Sequence, residues 1–167
     1  MRILVIEDTP VHIEDAKNFF SGHPDVEVHY VSDYDQALDC INPPVGRNSD
    51  EAHCRRLPVA GGDQSEPRVD GVISDIFFPF RSMGPLSQPE PIGAAIMMIC
   101  RELNLPCVLN TSGYHHGSRY QWICTLQRSF GLPEIIDGAD SDVEAQHKNW
   151  SKAFRTLSNL IAEQKKS

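Results

Sequence analysis

At 167 residues, with 40% apolar and 23% charged residues, the chain has the size and composition of one globular domain with a core of its own. Its net charge of −8 argues against a general nucleic-acid binder, which needs a basic face for phosphate. The opening apolar run stops at Glu7-Asp8, too short for a secretory leader, and no run approaches the roughly 20 residues of a membrane span, so a cytoplasmic location is expected.

Residues 2–6 are a continuous apolar run, the pattern of a parallel strand covered on both faces. A helix is predicted over 10–21, with Thr9 as N-cap, Pro10 at its first position, and Ile13, Ala16, Phe19 and Phe20 at helical spacing. Residues 26–30 alternate as a short strand, and 33–41 read as a second helix with Ala37, Leu38 and Ile41 inward. From about 42 to 68 the pattern fails. Pro43, Pro44, Gly46, Pro58, Gly61, Gly62 and Pro67 stand among polar residues, which marks a surface insertion. Order returns with a strand over 69–75, and a proline-rich loop follows to Pro91. A helix is expected over 92–103, a strand over 107–111 and a helix over 118–129. A short strand over 134–137 and a last helix over about 142–164 complete the chain. Alternation of strand and helix predicts one α/β domain over 1–167, a doubly wound parallel sheet with helices on both faces. The five cysteines are odd in number and scattered, with no CxxC pair, so neither a zinc site nor a disulfide framework is expected.

Two strands end in acid. The first runs into Glu7-Asp8 and the third into Asp75, within Val72-Ile73-Ser74-Asp75-Ile76-Phe77-Phe78-Pro79. Open α/β sheets place their sites at the carboxyl ends of the strands, so the three acids are expected to form one cluster. Asp8 and Asp75, each taken alone, also have a plainer role as caps for the helices that follow. Thr111-Ser112-Gly113 at the end of the fourth strand has an ordinary strand-to-helix turn as its lesser alternative reading. His115-His116 and His53-Cys54 lack ligand spacing and read as solvated loop. Among the aromatics, Phe78 is expected to pack, while Phe80 is a candidate partner contact.

In this order the motifs resemble the receiver domain of two-component response regulators. Glu7-Asp8 is similar to the family's acidic pair and Asp-Ile-Phe-Phe-Pro to its phosphoacceptor segment. Gly93 matches the glycine of the third helix, and Thr111-Ser112 the switch residue and its small neighbour. The resemblance implies a flavodoxin-like, five-stranded sheet of order 2-1-3-4-5. It implies Mg2+ held by Glu7, Asp8, Asp75 and the backbone carbonyl of Phe77. It also implies Asp75 as phosphoacceptor, Thr111 as switch and Ser112 as a phosphoryl contact. A stand-alone signalling module rather than an enzyme is then expected, taking its phosphoryl group from a histidine kinase or phosphotransfer protein in a phosphorelay. It would act on a downstream protein partner, with a homodimer as a further implication and no direct contact with nucleic acid or membrane.

The family's lysine at the end of the fifth strand has no counterpart there, since Asp137-Gly138 fills the slot. Lys148 falls inside the predicted last helix, and its return to the site is the lesser expectation. The alternative reading is a phosphate-independent pseudo-receiver that binds partners through its loops. A small hydrolase ranks last, because Phe77 stands where a general acid would be needed.

Overall fold

The computed structural model describes residues 1–42, 69–80, 90–112, 120–138 and 147–166. The strands are β1 (Arg2–Ile6), β2 (Glu27–Val31), β3 (Gly71–Ser74), β4 (Cys107–Thr111) and β5 (Ile136–Asp137). The helices are α1 (Pro10–Ser21), α2 (Tyr34–Ile41), α3 (Ile92–Glu102), α4 (Gln121–Ser129) and α5 (Trp150–Gln164). All five strands are parallel in the order β2-β1-β3-β4-β5, as expected. Most of the expected insertion, residues 43–68, lies outside the described residues, as do His53-Cys54 and His115-His116.

Strand period 2 splits the core into two layers. Leu4, Ile6, Val72, Cys107 and Leu109 face α2, α3 and Ile123 of α4. Ile3, Val5, Ile73, Val108 and Ile136 face α1 and α5, where Ala16, Phe20, Trp150, Leu157 and Ile161 meet them. The central strands are therefore apolar on both faces, the reason their sequence shows no alternation. At full burial each such side chain contributes about 1.5–3 kcal/mol, so the layers hold the strand ends rigidly.

Helix starts differ from expectation in detail. Thr9 stands at the N-cap of α1 but makes no side-chain cap bond. Asp33 caps α2, accepting from Gln36 N at 2.9 Å. Asn149 caps α5, accepting from Lys152 N at 2.9 Å, so the last helix begins eight residues later than the sequence suggested (150 against 142). Its apolar stripe begins only at Trp150, and the polar stretch before it has no face to bury. Cys40 is disulfide-bonded to a partner outside the described residues, against the expectation from cysteine spacing. Cys100, Cys107 and Cys124 are free thiols.

Gly93 brings α3 onto the end of β3. Its N–H donates to Ile76 O at 3.0 Å, and a Cβ there would fall 2.0 Å from the Asp75 carbonyl oxygen and 2.9 Å from Ile76 Cα. Backbone atoms cannot move aside as a side-chain tip can. Gly93→Ala is expected to lower unfolding stability by about 1–3 kcal/mol or more, read as a shift in the urea midpoint at unchanged m.

Candidate metal and phosphoryl site

Glu7, Asp8 and Asp75 meet at the carboxyl ends of β1 and β3. One carboxylate oxygen from each lies within 4.8 Å of the others. Adjacent parallel strands make this unavoidable. Ile6 pairs with Ser74 in the β1–β3 register, so the residues that follow both strands emerge side by side. The backbone continues the ladder one step, with Asp75 N donating to Ile6 O at 2.9 Å. Glu7 is anchored on the other side, its N–H donating to Val31 O at 2.9 Å.

Glu7 is 1% exposed. Its Oε1 accepts from Thr9 N at 3.0 Å, and its Oε2 is held by Lys148 Nζ. Asp75 Oδ1 accepts from Ile76 N at 2.7 Å and lies 2.9 Å from Lys148 Nζ. Asp75 Oδ2 makes no hydrogen bond among the described residues, and a tenth of the side chain is exposed. Asp8 is half-buried and nearest to solvent. Thr111 and Ser112 follow at the end of β4, with Thr111 buried and Ser112 half-buried. Ser112 Oγ is hydrogen-bonded to His12 Nε2 at 3.0 Å. Phe78 is fully buried, and Phe80 is exposed with its ring stacked on Tyr34. Phe77 is half-buried, its ring edge-on to Tyr120.

Lys148 corrects the sequence reading. β5 carries no lysine, as read, but the ammonium of Lys148 sits between Glu7 and Asp75 with its side chain 1% exposed. The chain reaches this place because Gly138 and His147 touch. A Cβ on Gly138 would fall 1.5 Å from His147 O and 3.1 Å from Lys148 Cα. Gly138 N donates to Thr111 O at 2.8 Å, which seats this junction against the end of β4. Because Gly138 and His147 are in contact, Lys148 stands in space directly after β5. The signal in the sequence was Asn149, a good N-cap before the apolar stripe of α5. With the helix begun there, Lys148 belongs to a connection and its stem is free to turn inward.

Electrostatics follow from three carboxylates facing one ammonium. Burial pushes the Glu7 carboxyl above its ordinary range, and the charge of Asp75 adds to this against the opposing pull of Lys148. Burial, then the charge of Asp75, pushes Asp8 up as well. The pKa of His12 is pushed down, chiefly by burial and then by the charge of Lys148. The site thus holds excess negative charge on hard oxygen donors. A divalent cation with a preference for oxygen, Mg2+ above all, fits that donor set and would discharge it. A shallow groove of about 230 Å³, lined by Met97, Pro106, Cys107, Leu132 and Leu160, lies at the opposite end of β4 and has no part in the site.

Removing the ammonium leaves two buried carboxylates unpaired. Lys148→Met is expected to destabilise the metal-free protein by roughly 3–5 kcal/mol in denaturant titration, with added Mg2+ restoring part of the loss. Asp8 makes a separate prediction. With its pKa raised in the folded chain, its contribution to stability is fully present below about 3.8 and is lost as pH rises through the raised value. Asp8→Asn should therefore raise the melting temperature in chelator at pH 7 and leave it nearly unchanged near pH 3.5. Added Mg2+ is expected to raise the melting temperature of the parent protein but not that of this variant.

No family model and no curated protein matches the sequence. The solved structures similar to it include the following two. The signal receiver domain of an HD domain-containing protein from Pseudomonas fluorescens Pf-5 superposes with a TM-score of 0.56 at 15% identity, covering 99% of this chain and 98% of that one. The bacteriophytochrome response regulator AtBRR gives a TM-score of 0.52 at 21% identity, covering 94% of this chain and 91% of that one. With its five parallel strands in the order β2-β1-β3-β4-β5 and acids at the ends of β1 and β3, the chain has the fold of a signal receiver domain.

Proposed function

We propose that this chain is a phosphoryl-accepting receiver domain, with Asp75 as the acceptor and a histidine kinase or phosphotransfer protein as the donor. The observation that carries this reading is the Lys148 ammonium, 2.9 Å from Asp75 Oδ1 within the Glu7–Asp8–Asp75 cluster. A fold alone hosts many activities. A buried cation at the acceptor carboxylate, delivered from a different element by an unusual route, is a feature of the site itself.

The chemistry is displacement at phosphorus. Asp75 Oδ2 attacks, and the bond from phosphorus to the donor nitrogen of phosphohistidine, or to the acyl oxygen of a small acyl phosphate, breaks with its electron pair on the leaving group. Asp8, Asp75 and the Phe77 carbonyl, with Glu7 behind them, would hold Mg2+, which supplies positive charge against the transferring group. Lys148 is placed to move its N–H bonds from the carboxylates to the new phosphoryl oxygens. Ser112 offers its main-chain N–H, and Thr111 its hydroxyl. A rotation of Thr111 toward the phosphoryl group would shift the population of the α4 face and so recruit a downstream protein. Phe77 provides no general acid at the second position after Asp75, which disfavours rapid turnover as a hydrolase.

Incubation with acetyl phosphate and Mg2+ is expected to add one phosphoryl group by intact mass. Asp75→Asn should take up none, and chelator should block the wild type. Absence of an adduct on wild-type protein that still binds Mg2+ would favour a phosphate-independent binding module.

A further inference from the structure

His12 lies outside the group of residues to which the proposed function gives a role. Among the described residues it is nonetheless the one buried imidazole beside the site. It belongs to the first turn of α1, is 8% exposed, and hydrogen-bonds Ser112 Oγ at 3.0 Å across 100 residues of sequence. Its other ring nitrogen, Nδ1, is buried with no partner among the described residues. The ring is therefore oriented by a single polar contact, the one to Ser112. An apolar side chain in this place would avoid an unsatisfied buried nitrogen, which costs about 1–3 kcal/mol. Such a locally unfavourable choice marks a site held for function rather than stability.

Ser112 is the residue through which this contact acts. It follows Thr111, the last residue of β4, and the strand's period of 2 carried one step on turns it to the α1/α5 side with Val108 and Asn110. A hydroxyl tethered to α1 fixes where the Ser112 backbone N–H points.

We propose that His12 is a positioning residue for phosphoryl transfer: its Nε2 bond to Ser112 Oγ locks the end of β4 so that the Ser112 N–H meets the phosphoryl group arriving at Asp75. This rests on the proposed function above. The bond joins α1, which follows the acidic pair, to β4, which carries Thr111, so the two halves of the site are held in one register.

The test is the rate of adduct formation with acetyl phosphate and Mg2+, followed by intact mass beside Mg2+ affinity by calorimetry. His12→Ala should slow phosphorylation about five- to tenfold, the scale of one lost hydrogen bond. Ser112→Ala should slow it similarly, and the double variant no further. His12→Gln, whose amide reaches the Nε2 position, should recover to within about twofold, whereas His12→Asn, whose shorter amide mimics Nδ1, should not. Magnesium affinity should stay within about twofold throughout, because His12 touches no carboxylate of the cluster. The inference is overturned, with the proposed function intact, if wild type is phosphorylated and His12→Ala matches it. It is also overturned if the Gln variant is as slow as Ala, or if Mg2+ affinity falls in step with rate, since either means plain structural damage. No adduct on wild type removes the proposed function and this inference together.

Discussion

Three carboxylates at the ends of two adjacent strands repel one another, and the rest of the site is arranged around that repulsion. The register of β1 on β3 forces Glu7, Asp8 and Asp75 together whatever their charge. Within 4.8 Å of one another in a partly buried setting, like charges cost on the order of a few kcal/mol unless a cation answers them. Lys148 is the answer built into the chain. Its ammonium touches Glu7 and Asp75 and acts on Asp8, the acid nearest solvent, only from a distance. One positive charge against three carboxylates stops short of neutrality, so the cluster keeps excess negative charge on hard oxygen donors.

Precision here comes from apolar layers rather than from the polar groups themselves. The strand bodies are buried on both faces, and α1 with α5 closes one side while α2, α3 and α4 close the other. Close backbone contacts finish the work at two glycines. Gly93 lets α3 rest on the Asp75 carbonyl, and Gly138 lets the chain return at His147. Neither place has room for a Cβ, and each delivers one part of the site: the loop after Asp75 in one case, Lys148 in the other. The same logic extends to His12 and Ser112, where a polar contact between α1 and β4 joins the acid-bearing half of the sheet to the threonine-bearing half.

Much of this was legible beforehand. Continuous apolar runs identified the central strands because a parallel strand buried on both faces has no polar side to show. Glu7, Asp8 and Asp75 were legible as a cluster because strand ends in a doubly wound sheet point one way. Helix starts were less legible. Asn149, the cap of α5, follows a polar stretch that from sequence alone continues the helix, so the sequence puts Lys148 on a helix. The tie between His12 and Ser112 left no trace in the sequence, since nothing in either residue's neighbourhood announces a partner 100 positions away.

Sequence by itself determined the strand and helix alternation, the identity of the sheet-end acids and the absence of a lysine directly after β5. These are local properties, set by hydrophobic period and by which residue ends each run. Tertiary structure alone decided that a lysine is present at the site after all. The ammonium of Lys148 arrives because Gly138 and His147 pack against each other, and that contact depends on the whole sheet and on α5 being in place. Hydrophobic patterning reports which face of an element is buried. It carries no record of where two distant backbones touch, so a charge brought in by such a contact becomes visible only once the chain has folded.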